Sequence, residues 1–480
     1  MADNLGTLLT DACRKFAVQP ALEEMNDALS YSQLSALSGM VASALRGHGL
    51  MRDEPVLVPV ANEARDIAAF TGVWLAGGVV VPVSQNSPAI VIEATRAMCG
   101  ARFFAKGSDE IVRHSGHEAP RHRAMLAGAA VIVFTSGSTG RPKGVVLSHS
   151  AFVRKLEAID SKLRFSTDTR TLLVLQITFV FGIWVTLLSL LKGGRVLMQP
   201  RFEALPVLEM LAEQHITDTA FVPTMLRKFL SLDRSVSEPL IACIKLDRIL
   251  TGGEPLGRAL SGQMRDFLPK TGLADIYGLT ETCSSDFFLM PDEQERFAGT
   301  IGRCSPGVKF RVADIEGNEL PVDTVGELQI KTPFIMNGYL DEPDLTRAAF
   351  TGDFFRTGDL ARIRDDGVVE LTGRAKELIM RGGAKISPLE LDCLLAQHPA
   401  VAAALTVGVP DSVMGERIHA LVVPRDGAKI DEAELRIWIA DRTDRFKRPD
   451  TYHFGAELPT GHTGKVDRRA LRKQICNGDA

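Results

Sequence analysis

The chain has 480 residues, 45% hydrophobic and 24% charged, with a net charge of −4. That length calls for two or more domains, and the charge balance gives no reason to expect a nucleic-acid partner. Seven cysteines, at 13, 99, 243, 283, 304, 393 and 476, stand without CxxC or Cys/His spacing, which predicts reduced thiols and no structural metal.

The start, Met1-Ala2-Asp3-Asn4-Leu5, lacks a basic segment followed by an apolar one, so the expectation is a cytoplasmic protein without a secretion signal. The first 130 residues alternate strand-like and helix-like pieces: 54–60 as strand, 61–75 as helix, 77–83 as a turn into another strand. Next comes Val133-Phe134-Thr135-Ser136-Gly137-Ser138-Thr139-Gly140-Arg141-Pro142-Lys143-Gly144, an apolar run that breaks into a loop of Gly, Ser and Thr with two cations. Small residues, backbone N–H groups, hydroxyls and a lysine are the inventory that holds a polyphosphate. Two residues separate Gly140 from Lys143, which is not the GxxxxGK[ST] spacing of the ordinary P-loop.

Residues 172–191 carry no charge, a length that satisfies a membrane-span rule. Gln176, Thr178, Gly182, Thr186 and Ser189 interrupt the run, and Lys192-Gly193-Gly194 reads as a helix stop. The segment is therefore predicted as a buried strand, 172–176, and a buried helix, 181–191. The alternation continues through 205–215, 218–222 and 246–250, which implies largely parallel sheets covered by helices. Residues 301–372 change to short pieces between Gly, Asp and Pro turns (309–314, 326–331, 368–372), read as antiparallel strands in a small distorted barrel. A boundary is expected near 373–376. It is followed by a compact α+β unit with helices at 388–397 and 431–442 and strands at 402–409 and 418–423. His149, His398 and His462 read as structural.

Four later segments follow the opening loop in order: Tyr277-Gly278-Leu279-Thr280-Glu281-Thr282, Thr357-Gly358-Asp359, Gly373-Arg374-Ala375-Lys376-Glu377 and Pro459-Thr460-Gly461-His462-Thr463-Gly464-Lys465. The set resembles the superfamily of adenylate-forming enzymes: acyl- and aryl-CoA synthetases, peptide-synthetase adenylation domains and luciferases. The resemblance implies an α/β fold. A large N-terminal domain (1–373) would have stacked, largely parallel sheets with helices plus a small distorted β-barrel. A small mobile α+β C-terminal domain (374–480) would carry the catalytic lysine and hinge at Lys376.

The implied reaction has two halves. A carboxylate attacks the α-phosphate of ATP to give acyl-AMP and pyrophosphate; a thiol then takes the acyl group and releases AMP. Both transition states carry spread negative charge, so placed cations and donors do most of the work. By resemblance, Lys465, Thr280 and Glu281 are the catalytic candidates, and Glu281 is the Mg²⁺ ligand, a single carboxylate being typical where phosphates supply the other oxygens. From the residues alone, Lys465 is equally a surface lysine of the basic tail that continues with Arg468, Arg469, Arg472 and Lys473. ATP and AMP would be held by Thr135, Ser136, Gly137, Ser138, Thr139, Gly140, Lys143, Gly253, Glu254, Tyr277, Gly278, Thr280, Asp359 and Arg374. Tyr277 would face adenine, and Asp359 the ribose hydroxyls. Gly382 and Gly383 would flank the entry tunnel of CoA.

Gln176-Ile177-Thr178-Phe179-Val180-Phe181-Gly182-Ile183-Trp184 aligns with the acyl-pocket segment of the family. Val180 falls where α-amino-acid enzymes keep an aspartate for the substrate ammonium; a buried ammonium without a counter-charge is costly, so an α-amino acid is not expected. Phe179 falls near the His that commonly gates the pocket of CoA ligases. Phe179, Val180, Trp184, Phe221, Gly252 and Cys283 form the expected acyl pocket, suited to an aromatic or a short-to-medium aliphatic acid. Residues 338–359 show no insertion of the kind fatty acyl-AMP ligases carry, which favours free CoA over the arm of an acyl or peptidyl carrier protein. The basic run Arg445-Phe446-Lys447-Arg448 either meets CoA phosphates or is solvated surface. The expected partners are thus a small carboxylic acid, ATP, Mg²⁺ and CoA, in a monomer or homodimer with no nucleic acid and no membrane span.

Overall fold

A computed structural model describes residues 4–24, 27–107, 110–113, 123–136, 142–461 and 465–478. Among these residues, two stacked sheets build the N-terminal part. One has nine strands, whose parallel centre runs in the order Gly272–Tyr277, Arg248–Gly252, Asp218–Phe221, Arg170–Leu173, Arg195–Met198 and Pro20–Glu24. The other has seven, built on Pro55–Val60, Val79–Ser84 and the hairpin Ala129–Ser136/Pro142–Ser148.

Successive strand residues are buried on opposite faces. Leu173 joins the central core, whereas Leu172 packs outward with Phe221, Leu226 and Phe229. Val56 and Val58 face the same central core, and Leu57 turns to an outer cluster with Val79, Val81 and Cys99. The layers therefore run helix, sheet, helix, sheet, helix. Strands covered on both faces need unbroken apolar runs, which is why Val79-Val80-Val81 shows no alternation with polar residues.

The helix Val180–Leu191 lies in the middle layer and buries ten of its twelve residues. That burial accounts for the uncharged 172–191 stretch, which divides into the strand Arg170–Leu173 and this helix. Among the described residues no helix is long and apolar enough to cross a membrane.

The sheets are less uniformly parallel than the alternation of elements implies. Ala129–Ser136 and Pro142–Ser148 pair antiparallel, because a connection this short cannot make the crossover that parallel neighbours need. Further along, Phe354–Ile363 is the spine of a five-stranded antiparallel sheet in the region expected as a small barrel. Gly326–Lys331 pairs along one edge, and Phe350–Thr351 and Val369–Arg374 share the other. The last strand ends at Arg374, inside the 373–376 stretch.

Beyond it, the hairpin Val401–Asp411/Gly415–Pro424 is flanked by Ile379–Arg381 and, in parallel, by Thr451–Phe454. The helices Pro388–Ala396 and Glu432–Ala440 bury Leu395, Leu435 and Ile439 against it. Arg468 ties the last helix down through Glu377 at 3.1 Å, Asp392 and the carbonyl of Thr406 at 2.8 Å.

Candidate active site

Three parallel strands end at one edge of the nine-stranded sheet. Asp218–Phe221 leads into Pro223-Thr224, Arg248–Gly252 into Gly253-Glu254, and Gly272–Tyr277 into the 278–286 loop. The register sets Phe221, Thr251 and Asp275 level, so the three loops emerge side by side, as in open α/β sheets generally.

Glu254 is the hub of the first cluster. Its Oε1 accepts from the Thr224 hydroxyl at 3.1 Å and from the backbone N–H of Val466 at 2.9 Å, and Arg227 stands 3.7 Å from Oε2. The C-terminal segment is thereby pinned to the large domain. Its neighbour Lys465 lies across Gly253: a Cβ built at Gly253, whose φ is +87°, would stand 2.8 Å from Lys465 Cε and 2.9 Å from Nζ. Lys465 is exposed to solvent along its side chain, and the protein packed around it lowers its pKa through lost hydration. Glu254 opposes that shift, and Arg374 adds to it.

Opposite, Asp359 is buried, with the Tyr277 hydroxyl donating to Oδ2 at 2.6 Å and Arg374 Nε to Oδ1 at 2.8 Å. Asp359 and Arg374 are cross-strand partners, which fixes their meeting. The Asp359 charge raises the pKa of Arg374, while burial first and Asp359 second push the Tyr277 phenol well above its usual range.

The third cluster joins distant segments. Glu281, in the single turn Thr280–Thr282, accepts from the Tyr339 hydroxyl at 2.8 Å, and the Lys143 ammonium lies 5.0 Å from the Tyr339 ring centre. Gly338–Tyr339 pairs with Val145 and Val146, which brings Tyr339 beside the hairpin. Burial first, then Glu281, raises the Tyr339 phenol. Thr135 pairs across the hairpin with Lys143, and Ser136 ends its strand. Gly137, Ser138, Thr139, Gly140 and Arg141 lie outside the described residues, as does His462.

On the acyl side, Phe179 caps the helix Val180–Leu191, Val180 is buried, and Trp184 is wholly buried with its ring stacked 5.4 Å from Phe181. Phe221 does not join this group. Its ring lies on the outer face of the sheet, 5.9 Å from Phe202 and 5.2 Å from Phe229, because its place in the strand points it away from the central core. Gly252 lacks a side chain for a packing reason: a Cβ there would overlap the carbonyl oxygen of Ile276 on the next strand. Gly278 likewise makes room for the backbone at Ser285, and Cys283 is fully buried beside it.

Lys376 lies on an exposed turn between Val369–Arg374 and Ile379–Arg381. Gly382 and Gly383, with φ of 54° and 84°, form the two-residue turn of the next hairpin, and no described atom comes within 4 Å of a Cβ built at Gly383. His149 accepts from Leu5 N at 3.2 Å, and burial lowers its pKa to about 4. His398 stacks edge-on to Trp438 and receives Ala400 N, a structural setting for both histidines.

The sequence reading missed Tyr339, Thr224 and Arg227. Thr224 was within reach, since it opens the helix after a parallel strand. Tyr339 carried no local signal.

The model for the AMP-binding enzyme family matches residues 9–340, and the model for the AMP-binding enzyme C-terminal domain matches residues 390–465. The chain belongs to the AMP-binding enzyme family. It is 30% identical to the sulfoacetate–CoA ligase of Cupriavidus necator, with 98% of this chain and 97% of that protein covered. It is 29% identical to the feruloyl-CoA synthase of an Amycolatopsis species, with 95% and 96% covered. The crystal structure of ATP-bound MatB from Rhodopseudomonas palustris superposes with a TM-score of 0.84 at 26% identity, covering 100% of both chains.

Proposed function

We infer that this AMP-forming acid–thiol ligase activates an apolar carboxylic acid with ATP and passes the acyl group to free CoA. The observation that carries the first half is the docking of Lys465 across Gly253, secured by the Glu254–Val466 bond, opposite the Tyr277–Asp359–Arg374 cluster. A cation in that cleft supports the role of Lys465 in bridging the attacking carboxylate and the α-phosphate, where negative charge develops. Tyr277 and Asp359 would take adenine and ribose, Arg374 would add charge beside the ribose and phosphate, and Thr280 would donate to the α-phosphate. Thr135, Ser136 and Lys143, with the loop that follows Ser136, would hold the outer phosphates.

Among the described residues no three His, Cys, Asp or Glu side chains cluster to enclose a metal. Glu281 nevertheless fits Mg²⁺: Tyr339 fixes one of its oxygens and leaves the other to a cation that takes most of its ligands from phosphates and water. Bound there, Mg²⁺ would offset phosphate charge.

The acid is proposed to be aromatic or short-to-medium aliphatic and not an α-amino acid, since Val180 offers no counter-charge to an ammonium. The CoA ligases and synthases among the relatives support CoA as the thiol. The domain crossing is proposed at Ala375-Lys376-Glu377, with Lys376 as the hinge about which Gly382 and Gly383 would reach the cleft for the second half.

The test is a panel of aryl and aliphatic acids assayed for AMP release with CoA and, separately, with a holo-carrier protein. CoA-dependent release with an aromatic or short-to-medium aliphatic acid is expected. Release only with the carrier protein would overturn the choice of thiol, and preference for an α-amino acid would overturn the choice of acid.

A further inference from the structure

Behind the Thr280–Glu281 turn lies an ion pair that the proposed chemistry does not use. Lys155, in the helix His149–Leu163, and Asp286, at the end of the 278–286 loop, are fully buried with Nζ 2.7 Å from Oδ1. Such a pair adds little stability over an apolar pair of the same volume, so stability alone does not account for it.

The loop supplies another reason. Cys283, Ser284 and Ser285 have φ of 57°, 68° and 55°, three consecutive left-handed residues that all carry a Cβ. This reversal folds the loop back on itself: Asp286 N donates to the Tyr277 carbonyl and Ser284 N to the Leu279 carbonyl, each at 2.7 Å. Lys155 Nζ also donates to the Ser285 carbonyl at 3.3 Å, and the Thr282 hydroxyl donates to Asp286 Oδ2. The hydrogen bonds of the pair therefore run to the segment that bears Thr280 and Glu281, while the Lys155 ammonium also lies 4.7 Å from the Phe334 ring centre.

We propose that Lys155 and Asp286 are positioning residues that hold the strained 283–285 reversal and thereby set Thr280 and Glu281 for the nucleotide. The proposal rests on the roles of Thr280 and Glu281 given above. Released from the pair, the loop relaxes toward ordinary backbone angles and carries both side chains out of place, which slows adenylation.

Two variants test it. Thr282→Val removes the link to Asp286, together with the hydroxyl's contacts to the Leu279 backbone, and leaves the ion pair whole. Lys155→Met with Asp286→Leu removes both charges together, so that no lone buried charge unfolds the chain. Both are expected to melt within a few degrees of the wild type and to exchange amide hydrogens faster over residues 279–286. In acid-dependent pyrophosphate exchange kcat should fall by about tenfold or more, with KM for the acid changed less than about threefold. Transfer from preformed acyl-AMP to CoA should stay within about threefold of wild type.

Folded variants with unchanged amide exchange, or with equal loss in both half-reactions, overturn the proposal. If the double variant does not fold, Thr282→Val decides. Glu281→Gln, run in parallel, separates the two readings. Normal adenylation in that variant refutes the role of Glu281, and the amide exchange then decides whether the pair holds the loop.

Discussion

At the scale of single residues, the site is a set of side chains whose neighbours decide their chemistry. Lys465 is one of many lysines until Gly253 gives it a floor and Glu254 holds the adjoining backbone. Lys465→Ala is expected to raise the adenylation barrier by about 3–4 kcal/mol, the usual cost of losing one donor to a developing anion. Acid-dependent pyrophosphate exchange reads this directly, and near-normal exchange removes Lys465 from the reaction. Gly253→Ala tests the floor. A methyl group there meets the lysine arm and also forces a Cβ onto left-handed backbone, so exchange should slow while the protein loses roughly 1–3 kcal/mol of stability. Wild-type exchange in a folded Gly253→Ala protein would mean that the arm moves aside at no cost.

At the scale of elements, short turns and strand ends carry more of the proposed site than helices do. Parallel strand ends bring Thr224, Glu254 and Tyr277 to one edge, and the register of two antiparallel strands joins Asp359 to Arg374. The Gly382-Gly383 turn, proposed above to reach the cleft for the second half-reaction, is tested at this scale too. Gly383→Leu is expected to slow acyl transfer to CoA by about tenfold or more and to leave pyrophosphate exchange within about threefold. Leucine is strained at a φ of 84°, so Gly383→Asn, which tolerates that backbone, serves as the control. Equal loss in both half-reactions for Gly383→Leu, with Gly383→Asn intact, would mark the position as a folding turn and not a passage for the thiol.

At the scale of the whole molecule, the first helix, Leu5–Lys15, is anchored through a buried histidine. Leu5 N donates to His149 Nδ1, and the ring packs edge-on against Trp74, whose indole N–H donates to the Ala130 carbonyl. Burial lowers the His149 pKa to about 4, below the 6.5 of an exposed imidazole. Between those values the unfolded chain takes up the proton first, so stability falls as pH drops from 6.5 toward 4, by up to roughly 3 kcal/mol. Asp275, raised to about 7 by burial, acts in the opposite sense, so the comparison must isolate the histidine. Denaturant unfolding of wild type and His149→Gln at pH 7.5 and pH 5 does so. The variant is expected to lose less stability on acidification, and equal losses would show that His149 does not set the acid limit.

Much of this protein was legible in the chain alone. Unbroken apolar runs such as Val79–Val81 report strands buried on both faces, and the polar interruptions of 172–191 separate a buried strand and helix from a membrane span. The order of motifs, through the family resemblance, also singled out Tyr277, Asp359 and Arg374, which the structure joins in one hydrogen-bonded cluster, and Lys465, which it sets across Gly253. Contacts between distant segments leave none. Tyr339 reaches Glu281 across 58 positions, and Lys155 reaches Asp286 across 131. The outward direction of Phe221 and the packing need for Gly252 depend on which strand lies alongside. Local sequence sets backbone preference and burial pattern residue by residue, whereas pairing between strands far apart in the chain is chosen by the packed whole, and only that choice brings these side chains together.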